Sequence, residues 1–113
     1  MPRWALGLVV ALLVLMPLLA IAADPILPGS AAADLAIERK CQLDWPDNYS
    51  RRAWCERNQR RGVRELLEPI YDVAPHVADV IRTKCARDWP DNFSQRAWCQ
   101  KNQIRGAKEL KNP

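Results

Sequence analysis

The chain contains a single histidine, His76, and no Cys-x2-Cys spacing, so the common zinc-ligand patterns are missing. Calcium is poorly served as well, because few carboxylates share a loop and no EF-hand glycine accompanies them. No metal or cofactor is therefore expected. The lack of a Cys-x-x-Cys pair also argues against a thiol-exchange role. With no histidine in its repeated part, no free thiol if its cysteines pair, and Ser50 and Ser94 better suited to capping helices, catalysis is not expected. Large apolar side chains are sparse after Ala23. The roughly 90 residues that follow can hold one small domain, of the kind that covalent staples usually support. An excess of one charge is missing too: without Arg3, 16 of the 17 Lys and Arg residues stand against 13 Asp and Glu. This mild basicity is too weak to argue for nucleic acid.

The one long hydrophobic run lies at the start. Met1-Pro2-Arg3 is followed by 20 residues, Trp4 to Ala23, with no charge. Residues 1–22 read as an export signal, with Ala20-Ile21-Ala22 supplying the small residues of a cleavage site. An uncleaved anchor in the inner membrane is the alternative, since ~20 apolar residues suffice to cross a bilayer. In either case the rest of the chain is exported, to the periplasm or the medium, where an even set of cysteines reads as disulfides.

Those cysteines sit in a sentence written twice. The stretch CQLDWPDNYSRRAWCERNQRRGVREL, from Cys41, returns as CARDWPDNFSQRAWCQKNQIRGAKEL, from Cys85, with 17 of 26 positions identical. Because each copy carries one pair in the same context, Cys41–Cys55 and Cys85–Cys99 is the economical pairing. Upstream of each first cysteine, Ala33, Ala36, Ile37 and Cys41, matched by Val77, Val80, Ile81 and Cys85, share one helical face. Pro46 and Pro90 push Trp45 and Trp89 out of the helical region, so the first helix stops there and the chain turns through Trp-Pro-Asp-Asn, with Asp47 and Asp91 in the turn. Ser50 and Ser94 are the expected caps of the second helix, with Tyr49/Trp54 and Phe93/Trp98 as hydrophobic staples. The expected architecture is all-α, two tandem disulfide-closed helical hairpins with four short helices. Hairpin one covers 33–68, a connector 69–75 and hairpin two 76–113, behind a flexible leader at 23–32.

At 100° per residue, Gln59, Gly62 and Leu66 fall on the same face as Cys55, which marks an inward face and makes each mid-helix glycine, Gly62 and Gly106, a place where two backbones meet. A helix C-cap is the alternative reading of those glycines. The opposite face carries Arg57, Arg60, Arg61 and Arg64, answered in the second copy by Lys101, Ile104, Arg105 and Lys108. Such a stripe is either a solvated helix face or a dock for an anionic partner. Asp44 with Arg52, and Asp88 with Arg96, are the expected ion pairs between turn and second helix. The four tryptophans of the two copies, Trp45, Trp54, Trp89 and Trp98, are expected to supply most of the core.

The string Cys-x3-Trp-Pro-Asp-Asn-Tyr/Phe-x-x-Arg-x-Trp-Cys resembles a cysteine-and-WPD motif of small bacterial exported proteins, here in two copies. That resemblance implies a bacterial, disulfide-bearing module and carries no ligand or activity with it. The expected function is thus an exported, non-catalytic interaction module whose partner is an envelope protein or an anionic lipid surface. The alternative is a membrane-anchored protein whose basic faces dock on anionic lipid headgroups.

Overall fold

A computed structural model describes residues 24–110, 112 and 113. The expected signal or anchor segment, 1–22, lies outside the described residues. Four helices follow in order: α1 Ala31–Asp44, α2 Tyr49–Leu67, α3 Pro75–Asp88 and α4 Phe93–Leu110. Among the described residues there is no strand.

Each helix begins and ends for a local reason. Ser30 caps α1, its hydroxyl accepting from Ala33 N–H at 3.1 Å and donating to the Leu27 carbonyl at 2.7 Å. Trp45 and Trp89 end the first helix of each hairpin just before Pro46 and Pro90, each still donating its N–H to the carbonyl of the preceding cysteine, Cys41 or Cys85. Helix α3 starts on Pro75, whose fixed φ suits a first turn. The caps of α2 and α4 differ from expectation. Asn48 and Asn92, not Ser50 and Ser94, accept from the backbone, from Arg51 N–H at 3.1 Å and Gln95 N–H at 3.2 Å. The helices therefore start two residues earlier than a serine cap implies, and Tyr49 and Phe93 are first helical residues rather than staple partners. An asparagine carbonyl is at least as good a cap as a serine hydroxyl, and it stands nearer the turn.

Both disulfides form as expected, Cys41–Cys55 and Cys85–Cys99, with Cα atoms 5.6 and 5.7 Å apart. Each ties the end of one helix to the start of the next, and closing a loop of this length contributes ~3 kcal/mol in the chain-entropy account. Helices α2 and α4 meet at the centre, with α1 outside on α2 and α3 outside on α4.

The two hairpins do not have equivalent cores. Ala33, Ile37, Cys41, Cys55 and Leu66 of the first are joined by Phe93 and Ala97 of the second. The second core, Ile81, Cys85, Cys99 and Ala107 with Val73, Val77 and Ile104 against it, draws only on its own hairpin and connector. The tryptophans do not supply most of the core, although partly buried Trp45 packs against the first one. Trp54 and Trp98 are more than half exposed, and the largest fully buried side chains are Phe93 and Ile37. The leader is not free of the fold either: Ile26 packs against the first core and its N–H donates to the Pro90 carbonyl at 3.2 Å.

Candidate interaction surface

The joint between hairpins is built from an inward face of α2. Cys55, Gln59, Gly62 and Leu66 are its buried residues, as the helical phase requires. The first turn of α4 lies against Gly62 so closely that a Cβ there would stand 2.5 Å from the Phe93 carbonyl oxygen. Only glycine admits that approach. One turn earlier, buried Gln59 spans the start of α4. Its Oε1 accepts from Phe93 N–H at 2.7 Å, and its Nε2 donates to Asn92 Oδ1 at 3.0 Å and Ser94 Oγ at 3.2 Å. An N–H left orphaned by the start of α4 is thus satisfied by a side chain from the other hairpin. Lys101 and Glu65 close the edge of the joint at 3.0 Å.

Arg96 is the second fastening. It is buried, and its guanidinium donates to the carbonyls of Trp89 at 2.9 Å, Ile26 at 2.9 Å and Pro90, while lying 5.0 Å from the Phe93 ring centroid. Burial pulls its pKa down from the ordinary arginine value, a shift opposed by nearby Asp91. The expected ion pairs of Arg52 with Asp44 and Arg96 with Asp88 do not form. Asp44 pairs with Lys40 and Asp88 with Lys84, each one helical turn back, where the side chains already lie side by side. Arg96 instead serves two carbonyls of the Trp-Pro turn and one of the leader.

The basic stripe divides. Arg60 pairs with Asp34 at 2.9 Å, Lys101 with Glu65, and Lys108 with Asp72 at 3.6 Å. Arg61 and Arg105 each bond a neighbouring asparagine, Asn58 and Asn102. Arg57, Arg61, Arg64 and Arg105 are exposed and have no carboxylate partner among the described residues. Beside them, an open groove of about 620 Å³ between α2 and α4 is lined by Arg61, Gly62, Ser94 and Trp98. Trp45, Pro46 and Asp47, with Trp89, Pro90 and Asp91, form the two turns as expected, and Arg51 lies 5.4 Å over the Trp45 ring.

Among the described residues, no three His, Cys, Asp or Glu side chains gather as a metal site, and no helix is long and apolar enough to cross a membrane. No protein-family model, curated protein or solved structure matches the chain.

Two parts of this surface escaped the sequence reading. The signal for the Arg96 fastening was available: Asp24-Pro25-Ile26 and Glu68-Pro69-Ile70 stand 44 residues apart, the same offset as the cysteines. The leader thus belongs to the repeat. Phe93 carried no such mark, since its counterpart Tyr49 looks equally apt for burial.

Proposed function

We propose that the chain is an exported, non-catalytic helical interaction module of the bacterial type its cysteine-and-WPD motif resembles. Its two disulfides support an oxidising compartment. One observation carries the interaction reading. Residues that are buried where hairpin one meets hairpin two have counterparts left exposed: Phe93 is fully buried and Tyr49 is 77 % exposed, Leu66 is 8 % exposed and Leu110 69 %. Single exposed apolar side chains are ordinary, but Tyr49 and Leu110 stand where the repeat buries their equivalents against a neighbour, and that position suits them to a contact. The test is photo-crosslinking of the full chain in its host envelope, from Tyr49, from Leu110 and from Arg39 on the outer helix. Discrete protein adducts are expected from the first two and not from Arg39; none from either end overturns the reading.

A second reading rests on the cations that lack carboxylates. Arg57, Arg61 and Arg64 on one helix suit anionic headgroups. Vesicles rich in acidic phospholipid then bind the protein at 0.1 M salt and release it at 1 M, as the Debye length falls from ~10 to ~3 Å. Failure to bind at low salt removes this reading and leaves the first.

A further inference from the structure

The joint between the two hairpins has a donor side and an acceptor side, and each has an unused duplicate. The donor in use is the first turn of α4, carrying Asn92, Phe93 and Ser94; its duplicate is the first turn of α2, carrying Asn48, Tyr49 and Ser50, all exposed. The acceptor in use is Gln59, Gly62 and Leu66; its duplicate is Gln103, Gly106 and Leu110. A Cβ on Gly106 would meet nothing within 4 Å, and Gln103 lies open. A glycine in the middle of a helix costs ~1 kcal/mol against alanine, yet among the described residues Gly106 meets no neighbour that requires it.

We propose that Gln103 and Gly106 receive the Asn48-Tyr49-Ser50 turn of a second copy of this chain, which repeats between molecules the joint already made within each one. This rests on the interaction-module reading and names the partner. Three further pairs fit the same step. Glu65 with Lys101 becomes Glu109 with Arg57 of the next copy, so the charges stay complementary. Ile26, whose carbonyl accepts from Arg96, becomes Ile70, and Arg96 becomes Arg52 of the next copy. The second core, which lacks a Phe93 in the described residues, gains Tyr49. Volume is exchanged around that ring, with Val77 where the first hairpin has Ala33 and Ala107 where it has Val63. Because donor and acceptor are different surfaces, the contact is heterologous rather than two-fold, and copies add head to tail as further hairpins of one solenoid.

The test uses the full chain with both disulfides intact, followed by sedimentation over a dilution series. Wild type is expected to give dimers and longer species in sequence as concentration rises. Gly106→Ala removes the acceptor without touching the monomer, and Tyr49→Arg removes the donor at an exposed position. Each alone is expected to lose at least ~10-fold in self-affinity, on the scale of an overpacked contact. Mixed in equal amounts they supply one good donor and one good acceptor, so the mixture is expected to stop at a 1:1 dimer. Circular dichroism confirms that each variant folds. Wild type that stays monomeric to about 1 mM, beyond useful affinity, overturns the proposal, as does Gly106→Ala that assembles like wild type. Monomeric protein that still forms adducts with a different protein from Tyr49 or Leu110 overturns self-assembly and leaves the interaction module standing. Absence of both assembly and adducts overturns both.

Discussion

Hairpin one and hairpin two share their cysteines, their turns and the asparagine caps of their second helices, yet residue for residue they live in different surroundings. Gln59 is buried with three hydrogen bonds while Gln103 is exposed; Gly62 is pressed by the Phe93 carbonyl while Gly106 faces open space. The difference is one of position in a series. The first copy packs against the second, and the second meets no such neighbour among the described residues. What the repeat encodes is therefore a hairpin together with two joining surfaces, and a chain with two hairpins uses one of each and exposes one of each. Stability should follow the same division, with equivalent substitutions giving unequal effects.

The widest gap is expected at the aromatic that opens the second helix. Phe93→Ala empties a fully buried site at the centre of the first core, and Phe to Ala changes of that kind cost ~3–5 kcal/mol. Tyr49→Ala removes an exposed ring and is expected to stay within ~0.5 kcal/mol of wild type. Urea denaturation at low micromolar protein, where copies are apart, measures both. Equal losses would mean that the second hairpin is not the donor of the first hairpin's core.

Smaller, and of different origin, is the loss expected at Gly62. Gly62→Ala places a Cβ 2.5 Å from a backbone oxygen, which no side-chain rotation relieves. Helices α2 and α4 must part, at the cost typical of overpacking, ~1–3 kcal/mol. The bonds of Gln59 to the start of α4 should weaken with them, so amide exchange at Phe93 is expected to quicken in this variant.

How far the sequence reached these points depends on which rule each residue obeys. The cysteines, the turn prolines and the Cys55, Gln59, Gly62, Leu66 face follow from spacing and helical phase, which act within one hairpin, and they are where spacing puts them. The cap shifted from serine to asparagine because two good capping residues stand two positions apart and local preference separates them little. The tryptophans misled for another reason. Large rings suit a core by size, but alanine, isoleucine, cystine and one phenylalanine already fill this one, leaving Trp54 and Trp98 outside. The burial of Phe93 and Arg96 depends on a neighbour 30 or more residues away. No pattern inside one copy distinguishes them from Tyr49 and Arg52.

Gly106 gives the smallest effect and separates the two uses of a glycine. With open space around its missing Cβ, Gly106→Ala is expected to stabilise the dilute protein, because alanine restricts the unfolded chain and suits the helix better, by ~0.5–1 kcal/mol. The sign is opposite to that at Gly62, although the two residues stand at the same place in the repeat. A gain in urea midpoint for Gly106→Ala at low micromolar protein, together with its loss of head-to-tail assembly at high concentration, would show that this glycine is held for a contact between copies. A loss of stability in dilute solution would instead mean that α4 already meets a neighbour at Gly106 within the single chain, and the equivalence of the two free ends would fail there.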